Sequence, residues 1–420
     1  MPFSAELHEA PAVSRPVPLW RNRDYLLLFG GQMVSNVGSQ VSLLAFPLLV
    51  LFLTGSPAQA GIIGALRGLP YFVLGLPAGA LVDRWDRRRV MILCDSGRAL
   101  ALGSIPLAYM LGHLTLAQLY VVSLIEGTLY IFFSLAETAC LPRVVAKEQL
   151  PDALAQDQAI GAVAQLAGPS LGGILYSVGR VVPFLGDTLS YVVSVVSLCF
   201  IKSEFQEERP AARASLRAEI AEGLRWLWQQ PLIRFLAVLV GGLNLTGVGY
   251  ALIVIVLAQR QHASAFATGL ILACAGAGNV LGTLATSPIQ RRLPFGRLVI
   301  VMTWVLALTW PLFVFAPNLL TLGVVTFISM LAVPVLMVAQ FSYRMALIPD
   351  ALQGRVNSVF RLVVWGCQPL GLALTGALLQ AFGPVATVWI LFVPQVALGV
   401  VTMLNPHVRR ARAVAGQVGG

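Results

Sequence analysis

Twelve apolar runs, each long enough to cross a bilayer, follow one another along this chain with short polar breaks between them. A helical crossing needs about 20 apolar residues. The runs fall at 25–53, 61–82, 90–111, 116–137, 158–178, 182–201, 232–257, 268–289, 298–315, 319–343, 357–380 and 385–404. In lipid the backbone must satisfy its own hydrogen bonds, which leaves helices and closed barrels. A barrel needs segments of about ten residues with alternating polarity, and these are absent. The expected fold is an all-α membrane protein of twelve transmembrane helices. Only 11% of the residues are charged, against roughly 25% in a water-soluble domain. The chain has too little polar sequence to coat a soluble core.

The charges that remain are placed unevenly. The formal net charge is +10, and Lys147 and Lys202 are the only lysines. One set of loops holds Arg21, Arg23, the cluster from Arg84 to Arg89, Arg143, Lys147, Arg291, Arg292, Arg297, Arg344, Arg355, Arg409, Arg410 and Arg412. The opposite set holds Arg180 and Arg260. Positive loops stay in the cytoplasm, so both termini are expected there, in a bacterial inner membrane. The arginines form no stripe interleaved with aromatic residues, which argues against nucleic acid as a partner. Met1 to Trp20 lacks the pattern of a cleaved signal peptide, and the first crossing is expected to direct insertion.

Several chemistries are excluded by what the sequence lacks. Cys94, Cys140, Cys199, Cys274 and Cys367 are dispersed within or beside apolar runs, without the spacing of a metal site. No Gly-rich loop ends in a Walker lysine, so ATP is not the expected energy source. No enzymatic motif and no cofactor site is expected.

Residues 202–230 are the one long polar segment. Leu216, Ile220, Leu224 and Leu227 recur there at near-helical spacing, after Ser215 as a helix cap. This reads as a linker followed by an amphipathic helix on the membrane surface. It divides the chain into an N-terminal six-helix bundle (1–201) and a C-terminal bundle with a basic tail (231–420). The halves repeat each other. Residues 61–92 align without a gap with residues 269–300, which sets Asp83 opposite Arg291. Leu141-Pro142 pairs with Ile348-Pro349, and 168–172 with 367–371. Parallel repeats of this kind mark secondary transporters with a site between the halves.

Two motifs carry a resemblance. Gly79-Ala80-Leu81-Val82-Asp83-Arg84-Trp85-Asp86-Arg87-Arg88-Arg89 resembles the loop between the second and third helices of the major facilitator superfamily, with Asp86 where that pattern usually has Gly. Gly168-Pro169-Ser170-Leu171-Gly172-Gly173 resembles the antiporter motif in the fifth helix of its exporters. The resemblance covers essentially the whole chain. It extends through stretches such as Asp95-Ser96-Gly97-Arg98 to the bacterial efflux branch that includes enterobactin exporters and macrolide efflux proteins. It implies that Gly79, Asp83, Arg84, Arg87 and Arg88 form an inner gate. Asp83 would sit against the start of the eleventh helix near Val356–Phe360, and the arginines would pair with acids on neighbouring helices and with lipid phosphates. Gly168, Pro169, Gly172 and Gly173 would let the fifth helix bend and pack closely. The superfamily's antiporters often carry Arg in the fourth helix, four residues before a Gly. Here Ser123 holds that place relative to Gly127, with Glu126 beside the glycine.

Ionisable residues inside a bilayer are costly and mark function. Glu126 near mid-helix, Asp187 about a quarter-depth from the outer face, and Asp95 and Arg98 near the inner face are the proton-coupling candidates, with Arg67 at the depth of Asp187 and Arg361 near the inner face. An Asp95–Arg98 pair within one helix, and pairing of Asp187 with Arg67 or Arg180, are the structural alternatives. Asn36, Gln40, Tyr130, Asn244, Tyr250 and Gln340 lie on helices that line the cavity in this superfamily. They are candidate substrate contacts, with interhelical hydrogen bonding as the alternative. The expected function is secondary active export of a small amphipathic compound, a drug, antibiotic or siderophore, by proton antiport with alternating access, in a monomer. A facilitator or importer of the same fold and a non-transporting membrane receptor stand as alternatives.

Overall fold

The computed structural model describes residues 18–82, 84–202 and 216–411. Asp83, the linker residues 203–215 with Ser215, and Arg412 lie outside the described residues. Among the described residues the regular structure is helical throughout. The helices are α1 (Arg23–Thr54), α2 (Pro57–Val82), α3 (Arg87–Met110), α4 (Leu116–Val144), α5 (Leu150–Val178), α6 (Val182–Phe200), α7 (Leu216–Gln229), α8 (Pro231–Gly247), α9 (Tyr250–Arg260), α10 (Ala265–Arg292), α11 (Phe295–Thr309), α12 (Leu319–Leu347), α13 (Gln353–Leu404) and α14 (Pro406–Arg409). Short polar side chains start many of them. Asn22, Asp86, Thr115, Ser264 and Asn318 each accept a backbone N–H of the helix they precede, which satisfies donors the helix leaves open. Asp86 therefore has a job in the signature loop that glycine could not do: its carboxylate accepts from the amide of Arg89 at 3.1 Å.

Ten helical segments, counting α8 and α9 as one, are long and apolar enough to cross a membrane. α2, whose one charge is Arg67, adds a crossing. α13 supplies two. Its 52 residues would reach about 78 Å if straight, more than twice the hydrocarbon thickness of about 30 Å. The chain turns at Gly383, with φ 72° and ψ 173°, a conformation open essentially to glycine. Cys367 and Leu398, nearly equidistant from Gly383 on either side, both reach α8, at Gly241 and Gly242. The two arms thus run side by side, and the crossings number twelve.

Two boundaries differ from the sequence reading. The seventh crossing is interrupted at Val248-Gly249, where the Thr375 side chain occupies the space a Cβ on Gly249 would need. α5 begins at Leu150, ahead of its apolar run, because a helix can continue into water past the hydrocarbon edge. α7 packs on the start of α13, with the backbone of Arg355 against Gly223 and an ion pair between Glu222 and Arg355. Of its apolar face Leu227 is buried and Leu224 exposed.

Helices α1 to α6 pack on one another, and so do α8 to α13. The two groups meet along α2 with α13 and along α5 with α10. These contacts are close because the residues are small. A Cβ added to Gly61 would lie 2.6 Å from the Leu372 carbonyl oxygen and 2.8 Å from the Cα of Gly376. The other contact mirrors it: a Cβ on Gly173 would lie 2.5 Å from the Ala265 carbonyl oxygen, and one on Gly269 would lie 3.3 Å from the Cα of Gly173. Gly61 and Gly269 are the residues that begin the internal repeat. Both contacts lie at the end away from the arginine-rich loops. About five turns along the same stripes stand Gly79, counted from Gly61, and Gly354, counted from Leu372. A Cβ on either would meet nothing within 4 Å. The bundles are closed at one end and spread at the arginine-rich end.

Overpacking a tight contact costs about 1–3 kcal/mol, whereas Gly→Ala in an open helix gains up to about 1 kcal/mol. Gly61→Ala and Gly269→Ala should each lower the thermal unfolding midpoint of the purified protein. Gly30→Ala, where an added Cβ meets nothing within 4 Å, should leave it unchanged or raise it.

Candidate functional site

Charge is concentrated inside the N-terminal bundle. α3 presents Asp95 and Arg98 on one face, as an i,i+3 pair must. α4 brings Glu126, α2 brings Arg67, and α6 brings Asp187 and Tyr191. The approach of α2 to α4 depends on Gly127, because the carbonyl of Arg67 fills the place of a Cβ there. That contact delivers the Arg67 guanidinium to the neighbouring Glu126, with Nη2 2.7 Å from Oε2. Arg98 binds the other oxygen, with Nη2 at 2.8 Å and Nε at 2.9 Å from Oε1. The Tyr191 hydroxyl donates to the same oxygen at 2.6 Å. Arg98 also reaches Asp95 Oδ1 at 3.3 Å and the Ser39 hydroxyl at 3.3 Å. Asp95, Glu126 and Asp187 are 0% exposed.

Asp187 makes no ion pair with either guanidinium. Its Oδ1 accepts from Ser190 Oγ at 3.1 Å and crowds Gly38 of α1. Its Oδ2 has no hydrogen-bond partner, and neither has Asp95 Oδ2. Two guanidiniums therefore face three carboxyls. Uncompensated charge in such an interior is strongly unfavourable, so the cluster is neutral when one carboxyl carries a proton. Asp187 is the one of the three that makes no ion pair. Of the structural alternatives read from the sequence, the Asp95–Arg98 pair is present. Arg67 pairs with Glu126, and Arg180 lies over the Phe52 ring at 3.6 Å. No arginine pairs with Asp187 among the described residues.

The loop residues are placed as follows. Gly79 faces open space and Arg84 is exposed. Arg87 donates to the Ala139 carbonyl of α4 at 3.1 Å. Arg88 donates to the carbonyls of Leu198 and Cys199 at the C-terminus of α6, at 2.9 and 2.5 Å. The resemblance implied acids as partners for the arginines; Arg88 instead binds the electron-rich end of a helix, which favours a cation. In α5, the space beside Gly168 is filled by Gln40, Gly172 packs on Val41, and Gly173 meets α10. Pro169 sits beside Gly269 through its carbonyl. The motif thus packs one face on α1 and another on the opposite bundle.

The cavity candidates divide. Tyr130 is 49% exposed, and Arg98 lies under its ring at 5.4 Å. Asn36 is half-buried on α1, and Gln40 is half-buried with its Cβ against Gly168. Asn244 spends its amide on the Val364 carbonyl at 3.1 Å, which is interhelical bonding rather than a free donor. Tyr250 packs against an apolar cluster. Gln340 is 5% exposed and accepts from Arg344 Nη1 at 3.0 Å. Arg344, counted among the loop arginines in the sequence, is a buried α12 residue. Ser123 brings no charge to the fourth helix; the cations at Glu126 are Arg67 of α2 and Arg98 of α3. Gly127 beside Glu126 was the one sequence signal of that close approach.

The chain belongs to the Major Facilitator Superfamily, whose family model matches residues 28–367. It is a membrane transporter and not an enzyme. Along nearly its whole length it is similar to the multidrug efflux pump Tap of Mycolicibacterium fortuitum, 26% identical over 91% of this chain and 96% of that protein. It is also similar to the enterobactin exporter EntS of Citrobacter koseri, 27% identical over 90% of this chain and 90% of that one. Among solved structures, a bacterial homologue of the iron transporter ferroportin in its inward-facing state superposes with a TM-score of 0.70 at 17% identity, covering 92% of this chain and 99% of that one. The same homologue outward-facing scores 0.58 at 17% identity, over 91% of this chain and 98% of that one.

Removing one partner of a buried ion pair costs about 3–5 kcal/mol. Glu126→Gln leaves Arg67 and Arg98 without their shared carboxylate and should markedly lower the unfolding temperature. Tyr191→Phe removes one hydrogen bond to an ionised group, worth about 1.5–3 kcal/mol, and should lower it less. Adding Arg98→Met to Glu126→Gln should recover part of the loss, as a double-mutant cycle on thermal stability would record.

Proposed function

We propose that this protein exports a small amphipathic compound from a bacterial cell in exchange for a proton carried at Asp187. The excess of one carboxyl over the two guanidiniums, with all three carboxyls buried, carries this reading. With Asp187 protonated the cluster is neutral and stable as it stands. Loss of that proton leaves one unbalanced charge beside Gly38 of α1. Relief comes from opening the cluster to water or from shifting α1 against α6, and either movement changes the pathway between the bundles. Asn36 and Gln40 lie on α1 with Gly38, which Asp187 crowds, and Tyr130 lies over Arg98, so in this reading cargo and proton act on the same helices.

The positive-inside rule sets the arginine-rich end in the cytoplasm. The observed arrangement is then open inward and sealed outward by the paired glycine contacts. Turning outward requires those contacts to part and the arginine-rich end to close. Asp83 with Arg84, Arg87 and Arg88 is the inner latch in this reading. Arg87 and Arg88 already tie the start of α3 to the ends of α4 and α6. The similarity to efflux pumps supports export as the direction.

In proteoliposomes with an imposed pH gradient, the wild type should move ethidium or another fluorescent amphiphile uphill and release protons as it does so. Asp187→Asn should abolish uphill movement while downhill exchange continues. Uphill movement that survives collapse of the proton gradient, or an Asp187→Asn variant that still concentrates the amphiphile, rules the mechanism out.

A further inference from the structure

The two bundles treat buried charge in opposite ways. Residues 231–420 contain eleven arginines and a single acid, Asp350. Yet Arg344 in α12 is only 3% exposed. Its Nε donates to Asn357 Oδ1 at 2.9 Å and its Nη1 to Gln340 Oε1 at 3.0 Å. Its guanidinium lies over the Phe360 ring at 3.7 Å and 5.5 Å from that of Phe341. All of these partners are neutral. Among the described residues no carboxylate stands within ion-pair reach, whereas Arg98 in the other bundle touches two. Arg361 lies one turn beyond Asn357 on the same face of α13. It is exposed, with its guanidinium 6.0 Å from the Tyr71 ring of α2. Tyr71 in turn faces Trp365 at 6.1 Å, so Arg361 stands at the seam between the bundles. Both arginines lie toward the spread end.

We propose that Arg344 and Arg361 form a binding site for an anionic oxygen group, a carboxylate or a phosphate, at the spread end of the cavity. A buried cation with neutral partners alone carries an uncompensated desolvation cost, and a bound anion offsets it. The planar guanidinium suits such groups through paired N–H donors. Asn357 and Gln340 hold Arg344 in place from its Nε and Nη1 sides. The exposed rings of Phe341 and Trp365 and the half-buried ring of Tyr71 give an apolar body attached to the anion a surface to rest on. The site deepens the reading of this chain as a carrier of amphipathic compounds: it selects cargo with an acidic group or holds an anionic lipid headgroup beside the pathway. The proton cluster is formed by different residues in the other bundle, so the two sites are separable.

The test is calorimetric titration of the full chain in phosphatidylcholine nanodiscs with 2-naphthoate and naphthyl phosphate, and with naphthylmethylamine as the cationic control. The wild type should bind both anions saturably. Arg344→Gln should weaken them about tenfold or more, the order expected for a charge-assisted pair. Arg361→Gln should weaken them less, and Arg344→Lys should keep part of the affinity. If Arg344→Gln does not fold, Arg361→Gln and Arg344→Lys decide. Nanodiscs containing phosphatidylglycerol separate the two sources. A loss of naphthoate affinity that depends on Arg344 identifies a headgroup as the occupant, and unchanged affinity identifies cargo. Equal anion binding by wild type and both Gln variants, or no saturable binding, overturns the proposal. Naphthoate binding that persists in Asp187→Asn, with uphill transport unaffected by that variant, would sink the antiport reading and leave this site standing.

Discussion

Charge inside a membrane must be cancelled where it sits, and the N-terminal bundle is built around that requirement. Four helices contribute charged groups to one cluster, and none of those groups could be buried singly. Glu126 is its centre, held by Arg67, Arg98 and Tyr191. The cluster ties α2, α3, α4 and α6 together within their apolar spans, where apolar packing gives helices no advantage over lipid. Its one imbalance, Asp187, lies against α1. A structure that needs neutrality becomes sensitive to a single proton when its charges do not quite cancel.

The second constraint is close approach. Two pseudo-symmetric contacts, Gly61 with Gly376 and Gly173 with Gly269, join the bundles at one end. Backbones that touch without side chains between them can separate without unlocking interdigitated groups. The same stripes continue to Gly79 and Gly354, which face nothing in this arrangement. The chain thus carries small residues at both ends of the seam. Gly173 belongs to the antiporter motif, so the residues that resemble an exporter's signature are also the ones that pack against the opposite bundle.

Much of this was legible in the sequence. Run lengths and the absence of alternation led to twelve helices, and the gapless match of 61–92 with 269–300 led to two related bundles. The buried acids stood out because each interrupts an apolar run. Their partners did not. Arg67 lies far from Glu126 in sequence, and its pairing follows from a contact at Gly127 between non-sequential helices. Arg344 was counted among loop arginines because it lies one turn from a helix end; burial under Phe360 is a property of the neighbouring helix. The break at Gly249 faces Thr375, more than a hundred residues away, a neighbour that no local pattern reveals.

The sequence by itself determined the spans, their number and the segregation of basic residues to one set of loops, because transfer of side chains and backbone into lipid is a local property of each segment. The tertiary structure alone decided which carboxyl lacks a cation, which arginine lacks an acid and which end of the pathway is sealed. These depend on distances between helices, and no periodicity along one helix encodes the side chain that another will bring beside it.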